Sequence, residues 1–341
     1  MSVRRPGPVL GAALRPLGVA YGLAMAARNR LYDAGALRTM RLAAPVLSVG
    51  NLTVGGTGKT PAVAAIVRRL VRRGARPGIL SRGYRGQGGA SDESHELAAV
   101  LPGVPHVLDP DRVRGGARLI ERGADVVVLD DGFQHRRLGR DLDLVLVDAM
   151  DPFGGGRTLP AGGLREPIPG LARADLVLLT RSDRVDAERR AEIWRRVERE
   201  REGLPRIEAR HAPRALLDPA TGAERPAENL RGRRVALFSG IGNPDAFEAT
   251  VRSLGAAIEF HRRFPDHHPF RDGEIRALRS AAGDLPLLTT GKDATRVESR
   301  LAPPWWVLRI EFEFLAGADA IEAALDRFVE KRPRGPQNAS T

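Results

Sequence analysis

From Val46 to Leu179, short unbroken apolar runs alternate with amphipathic stretches. The runs Val46–Val49, Pro77–Leu80, Val126–Leu129, Leu144–Val147 and Leu176–Leu179 have the length and continuity of strands buried on both faces. Pro61–Arg73, Asp111–Arg122 and Asp186–Arg201 carry their apolar residues at helical spacing. Strands alternating with helices predict an α/β fold with a parallel sheet covered by helices on both faces. Proline, glycine and charged residues cluster over Arg214–Arg231 and mark a break. Beyond it, strands are expected at Arg234–Phe238, Leu285–Thr289 and Trp306–Phe314, with a last helix at Ala318–Lys331. The expected organisation is an N-terminal helix over 1–34, a first α/β domain over 35–220, a smaller α/β domain over 221–332 and a disordered tail from 333.

The N-terminal segment departs from this alternation. Pro8–Asp33 is rich in alanine and leucine, preceded by Arg4 and Arg5, interrupted by Arg15 and Pro16, and followed by Arg28 and Arg30. It is too short and broken for a spanning helix, and the interruption also argues against a signal peptide. Two readings remain: an amphipathic helix lying in a membrane interface, or an ordinary helix packed on the first domain. The 341 residues carry a formal net charge of +12 and no cysteine, which excludes disulfides, thiolate metal sites and cysteine nucleophiles. The basic balance fits an anionic membrane surface or a polyanionic substrate. Aromatic residues make up only 5% of the chain and are not interleaved with basic ones, so a nucleic-acid groove is not expected.

One stretch carries the clearest chemistry. The first apolar run enters Gly55-Gly56-Thr57-Gly58-Lys59-Thr60, and a helical pattern starts at Pro61. Strand, glycine-rich turn, Gly-Lys-Thr and helix form the context of a phosphate-binding P-loop, although Thr53 stands where the strict pattern has its first glycine. Backbone N–H groups of the turn and the helix N-terminus would surround phosphate oxygens. Lys59 would reach the β- and γ-phosphates of a nucleotide, and the Thr60 hydroxyl would ligate Mg²⁺.

Other candidates sit at the ends of later strands. Val126–Leu129 leads into Asp130-Asp131-Gly132-Phe133-Gln134-His135, which suits a metal partner for a phosphate loop. Pro77–Leu80 leads into Ser81-Arg82-Gly83-Tyr84, placing Arg82 and Tyr84 at the edge where ligands bind in open α/β sheets. In the following loop, Asp92 is a candidate to accept a proton from an attacking hydroxyl. In the second half, Asp266-His267-His268 offers a metal ligand, a histidine tuned for proton transfer, or a surface turn; spacing does not choose among them. Asp151–Gly170 is rich in glycine and proline and reads as a long loop near a site.

Taken in order, Ser48-Val49-Gly50-Asn51, Gly55–Pro61, Ser81–Tyr84, Asp130–His135, Leu159-Pro160-Ala161-Gly162, Leu164-Arg165-Glu166, Asp266-His267-His268 and Lys292-Asp293 resemble the tetraacyldisaccharide 4'-kinase family of lipid A biosynthesis. The resemblance runs over nearly the whole chain. It implies a P-loop NTPase-like domain joined to a smaller α/β domain, with an N-terminal membrane-associated helix at the cytoplasmic face of the inner membrane. The implied reaction moves the γ-phosphate of ATP, with Mg²⁺, to the 4'-hydroxyl of a lipid A disaccharide 1-phosphate precursor. It implies Asp92 as general base working with His267, Gly55–Thr60 on the nucleotide, and Asp130 and Asp131 with Thr60 at the metal. The base motif, commonly Gly-Asp-Glu-Pro in the family, reads Ser91-Asp92-Glu93-Ser94 here. A ParA/MinD-like ATPase switch is the rival reading; such proteins carry a lysine just before the glycine pair, where this chain has Val54.

Overall fold

The structure, a computed structural model, describes residues 11, 13–55, 57–83, 92–297 and 300–333, without the side chains of Asp92 and Glu93. The chain forms two compact units: the larger runs to His211 and resumes at Phe312, and the smaller is Ala212–Glu311.

In the larger unit, α1 (Arg15–Asp33) precedes β1 (Val46–Asn51), α2 (Lys59–Arg72), β2 (Pro77–Ser81), α3 (Asp92–Val100) and β3 (His106–Leu108). Then follow α4 (Arg112–Glu121), β4 (Val126–Asp130), β5 (Leu142–Asp148), β6 (Leu176–Thr180), α5 (Ala187–Glu200) and β7 (Arg206–Leu217), whose last residues enter the smaller unit. The strand order is β7-β6-β5-β1-β4-β2-β3, and these pairings are parallel. Residues of β1, β2, β4, β5 and β6 are buried throughout, as continuous apolar runs require when helices cover both faces. From β1 the chain moves outward to β2 and β3, returns to β4, and then crosses to β5 on the other side of β1. The order reverses around β1, so the crevice at its C-terminal end is where a ligand is expected in an open α/β sheet.

In the smaller unit, β8 (Glu224–Pro226) pairs antiparallel with β7. It is followed by β9 (Arg234–Ser239), α6 (Pro244–Ser253), β10 (Ala257–Arg263), α7 (Asp272–Ala282), β11 (Leu287–Thr290), α8 (Gly291–Val297) and β12 (Trp305–Ala316). The parallel order is β10-β9-β11-β12. The closing helix α9 (Ala318–Val329) belongs to the larger unit, where Ile321, Leu325 and Phe328 join the core formed by Ala62, Val63 and Val67 of α2.

Boundaries shift by a few residues from the sequence expectation. The first crossover helix starts at Lys59 rather than Pro61, so Lys59 and Thr60 lie in its first turn. Asp111 and Asp186 are N-caps rather than helical residues, their carboxylates accepting backbone N–H groups of α4 and α5. The long strand β7 has no clear signature in the sequence because it contains Pro213 and its exposure varies along its length.

No described helix is long and apolar enough to cross a membrane. Helix α1 rests on the larger unit through its small residues: a Cβ on Gly18 would come within 2.7 Å of the Ala161 Cβ. Tyr21 Oη donates to the Arg165 carbonyl at 2.8 Å, and Asn29 Nδ2 to Glu166 Oε2 at 2.8 Å. Leu17, Val19 and Leu23 remain at least 60% exposed.

Candidate active site

The turn between β1 and α2 is held open by backbone conformations that favour glycine. Gly55 has φ +114° and Gly58 φ +86°. Gly58 is also sterically restricted: a Cβ there would lie 2.4 Å from His211 Nε2 and 3.2 Å from the Phe312 ring. Gly58 is the N-cap of α2 and makes no side-chain capping bond, and the first turn has no acidic residue. The N–H groups at the start of this 14-residue helix therefore retain their partial positive charge for an anion. Thr180 Oγ1, at the end of β6, donates to the Thr57 carbonyl at 3.1 Å and ties the turn to the sheet. Gly56 lies outside the described residues.

Lys59 is drawn back toward the strand ends. Its Nζ donates to Asn51 Oδ1 at 3.3 Å and lies 3.8 Å from Asp131 Oδ1. Asp131, just beyond β4, has φ +59°, a strained conformation for a non-glycine residue, and its N–H donates to the Val49 carbonyl at 2.9 Å. Arg165 Nη1 donates to both Asp131 oxygens, at 2.7 and 2.6 Å. Burial alone would raise the Asp131 carboxyl, but the Lys59 and Arg165 charges hold it below the ordinary range.

A second layer fixes these partners. Gln134 Nε2 donates to the Asn51 carbonyl and to Glu166 Oε1, both at 2.9 Å. Glu166 is fully buried, and Arg173 Nη2 also donates to it at 2.7 Å. Such a buried carboxylate is tolerable only because charged and amide donors satisfy it. The glycine- and proline-rich stretch after β5 thus supplies Arg165 and Glu166. It is anchored by backbone bonds from Val54 N to the Gly163 carbonyl and from Arg165 N to the Leu52 carbonyl, both 2.8 Å.

Asp130 is buried at the end of β4, and its Oδ2 accepts from Ser81 Oγ at 3.0 Å. The same Ser81 Oγ lies 2.9 Å from His106 Nε2. Burial pushes the His106 imidazole down to about 4, so the neutral ring makes this bond. Arg112 is buried nearby. Its Nη1 donates to the Asp109 carbonyl at 2.6 Å, and the Asp130 and Asp131 charges oppose the lowering effect of burial on its guanidinium. Arg82 follows β2 and is exposed, whereas Tyr84 lies outside the described residues. Asp92 opens α3. No group of three or more histidine, aspartate or glutamate side chains able to hold a metal occurs among the described residues.

The smaller unit separates the two neighbouring histidines. Phe264 N donates to the Ser239 carbonyl at 2.8 Å and His267 N to the Gly240 carbonyl at 3.0 Å, pinning the turn against the end of β9. His268 stacks on Phe264, and its Nε2 lies 2.8 Å from Glu274 Oε2, the oxygen that also accepts Arg271 N at 2.7 Å. His268 is therefore part of the cap of α7. His267 has φ +60° and a side chain 44% exposed, with Arg296 Nη2 donating to its Nδ1 at 3.4 Å. The turn Gly240-Ile241-Gly242 simply precedes α6, whose N-cap Asn243 accepts from Ala246 N at 3.1 Å.

The structure places Lys59 and Thr60 in the first turn of α2, and Asp130 and Asp131 at and just beyond the end of β4, the strand paired with β1. Spacing alone does not reveal that Asn51, Gln134, Arg165 and Glu166 support them, although Gln134 follows the acidic pair and Arg165-Glu166 is one of the ordered motifs.

A family model described as tetraacyldisaccharide-1-P 4'-kinase matches residues 10–330. The tetraacyldisaccharide 4'-kinase of Anaeromyxobacter sp. (strain K) is 46% identical over 358 residues, covering 97% of this chain and 94% of that protein. The protein of the same name from Geobacter metallireducens is 39% identical over 339 residues, covering 93% of this chain and 97% of its own. The crystal structure of apo-form LpxK from Aquifex aeolicus in complex with ATP is similar in fold, with a TM-score of 0.75 and 30% identity, covering 94% of this chain and 99% of that one.

Proposed function

The chain belongs to the tetraacyldisaccharide-1-P 4'-kinase family, and from that premise we propose that it transfers the γ-phosphate of ATP to the 4'-hydroxyl of a tetraacyldisaccharide 1-phosphate lipid A precursor. The observation that carries this reading is Lys59, held between Asn51 and Asp131 beside the uncapped N-terminus of α2. A helix terminus with open N–H groups, preceded by a left-handed glycine and followed by a fixed ammonium, is a phosphate cradle. We read Gly55–Thr60 as this P-loop, with Arg82 and Tyr84 beside the nucleotide.

The residues present also fit Mg²⁺. The ion keeps several waters and binds through few protein oxygens plus substrate phosphates, and the Thr60 hydroxyl at the start of α2 with the carboxylates at the end of β4 are oxygen donors of that kind. Thr60, Asp130 and Asp131 would hold it, and when bound it neutralises charge on the transferred phosphoryl group. In the transfer, a bond forms between the sugar oxygen and the γ-phosphorus as the bond to the β-phosphate oxygen breaks. Asp92 accepts the hydroxyl proton, and His267 orients that carboxylate. Lys59 stabilises phosphate charge, while Arg165 holds the Asp131 carboxylate in place.

The exposed apolar residues Leu17, Val19 and Leu23 of α1, on a chain of net charge +12, suit a helix lying on the anionic cytoplasmic face of the inner membrane, where an acylated substrate resides. Replacing Leu17 and Leu23 together by glutamate should reduce sedimentation with anionic vesicles; unchanged sedimentation would count against that placement. The ParA/MinD-like alternative gains no observation of its own, since Val54 stands at its signature lysine. The test of the kinase reading supplies purified protein with γ-labelled ATP, Mg²⁺ and tetraacyldisaccharide 1-phosphate. Label in the lipid is the expected result, and hydrolysis with no labelled lipid would overturn it.

A further inference from the structure

The surroundings of His267 contain more order than an exposed turn needs. Arg296 on α8 is nearly buried, its side chain 9% exposed, and Asp293 beside it is fully buried. Arg296 Nη1 donates to Asp293 Oδ1 and to the Gly240 carbonyl, each at 3.2 Å. Asp293 is held in turn, its Oδ2 accepting from Thr290 Oγ1 at 2.8 Å. The Gly240 carbonyl that accepts from Arg296 also accepts the backbone N–H of His267 at 3.0 Å. One buried carboxylate and one strand-end carbonyl therefore fix the guanidinium, while that same carbonyl fixes the histidine backbone. The other arm of the guanidinium, Nη2, reaches His267 Nδ1 at 3.4 Å.

We propose that Arg296 is a positioning residue that holds His267 as the neutral Nε2–H tautomer. A guanidinium has donors and no acceptor, so the ring atom facing it must offer a lone pair. Nδ1 is then unprotonated, and the proton of the neutral imidazole sits on Nε2. The charge on the adjoining residue supports this assignment: Asp266 Oδ1 lies 3.9 Å from Nε2, so negative charge flanks the protonated nitrogen and positive charge the bare one. The proposal rests on the reading of His267 as the partner of the Asp92 base. An Nε2–H imidazole gives a hydrogen bond to a carboxylate and leaves that carboxylate free to take the substrate proton. The Lys292-Asp293 motif thereby gains a physical role. Asp293 holds the buried anchor, and Arg296, one helical turn later, carries its effect to the histidine.

The test reads the ring directly. Full-length protein with ¹⁵N-labelled histidine is studied by long-range ¹H–¹⁵N correlation above the titration range of imidazole, with His267→Gln identifying the signal. The wild type should show one tautomer with Nε2 protonated and Nδ1 as acceptor. In Arg296→Lys the ammonium retains a charge beside Asp293 but cannot span both Asp293 and His267. That variant should keep its melting temperature, show a mixture of tautomers, and lose about tenfold in kcat at unchanged KM for ATP. Arg296→Met should exaggerate the same changes if it folds. An Nδ1–H tautomer in the wild type, or an unaltered tautomer and kcat in Arg296→Lys, would overturn the proposal. Because the spectrum needs no turnover, the two ideas fail separately. A wrong tautomer removes the role of Arg296 even if lipid is phosphorylated, and absence of lipid phosphorylation removes the kinase reading whatever tautomer is seen.

Discussion

The turn around Gly58 and the turn around His267 are built by opposite means. The first is a dense electrostatic lattice: Lys59, Asp131, Arg165, Gln134 and Glu166 satisfy one another through side chains contributed by segments as much as a hundred residues apart. The second hangs from two backbone N–H bonds to the end of β9, with Arg296 reaching its outward-facing histidine. The contrast matches what each is proposed to do. A phosphate cradle stabilises multiple negative charges and benefits from preorganised cations that do not relax. A residue that orients a proton acceptor needs one ring in one orientation, with solvent and substrate able to reach it. Left-handed backbone at Gly58, Asp131 and His267 is common to both and is maintained by surrounding contacts.

The effects of substitutions in the two turns should differ in size and in kind. The largest effect is expected at Lys59→Ala, which removes the cation of the cradle. Steady-state kinetics should show a loss of about 10³-fold in kcat/KM for ATP, with a thermal melt near the wild-type value. Asp92→Asn and His267→Ala come next. Each should lower kcat, by about 10²-fold or more for the base and less for its partner, at little cost in KM for ATP. Wild-type turnover by Asp92→Asn would remove the base from that position. Gly58→Ala tests the packing of the first turn. A methyl group there meets His211 and Phe312 in a left-handed backbone, and urea denaturation should report a loss of about 1–3 kcal/mol.

The smallest effect concerns acid. Burial, with help from Arg181 and Arg184, pushes His211 down to about 4, and burial does the same to His106. Between that value and the ordinary imidazole range, the unfolded chain binds protons that the folded one does not. Their contribution to stability is therefore complete above about pH 6.5 and is lost as pH falls toward 4. Melting temperature should drop between pH 7 and pH 5, and His211→Gln should show a shallower drop.

Much of the first turn was legible in the sequence because its parts are contiguous. A buried run, glycines, Gly-Lys-Thr and an amphipathic helix follow one another without interruption, and each has its own periodicity or composition signal. Asp130 and Asp131 were legible for a similar reason, as acids at the end of an apolar run. Asn51, Gln134 and Glu166 carry no local sign of their mutual bonds, since only the parallel pairing of β1 with β4 and β5 brings their segments together. Arg165 lies in an irregular stretch whose backbone follows no period, so only its place in an ordered set of motifs marked it. His267 and His268 are equivalent by spacing and distinct in the fold, because the φ of +60° at His267 turns it away from the stack that its neighbour joins. The return of α9 to the larger unit was likewise invisible, as an amphipathic helix does not encode which of two cores it covers.

On this reading the first turn binds the donor and the second serves the acceptor. Calorimetric titration of ATP and Mg²⁺ into Lys59→Ala, Asp92→Asn and His267→Ala, beside the wild type, tests that division most directly. Near-wild-type affinity is expected for the Asp92 and His267 variants, which turn over poorly, and a collapse of affinity for the Lys59 variant. Loss of ATP affinity in His267→Ala equal to that in Lys59→Ala would contradict it.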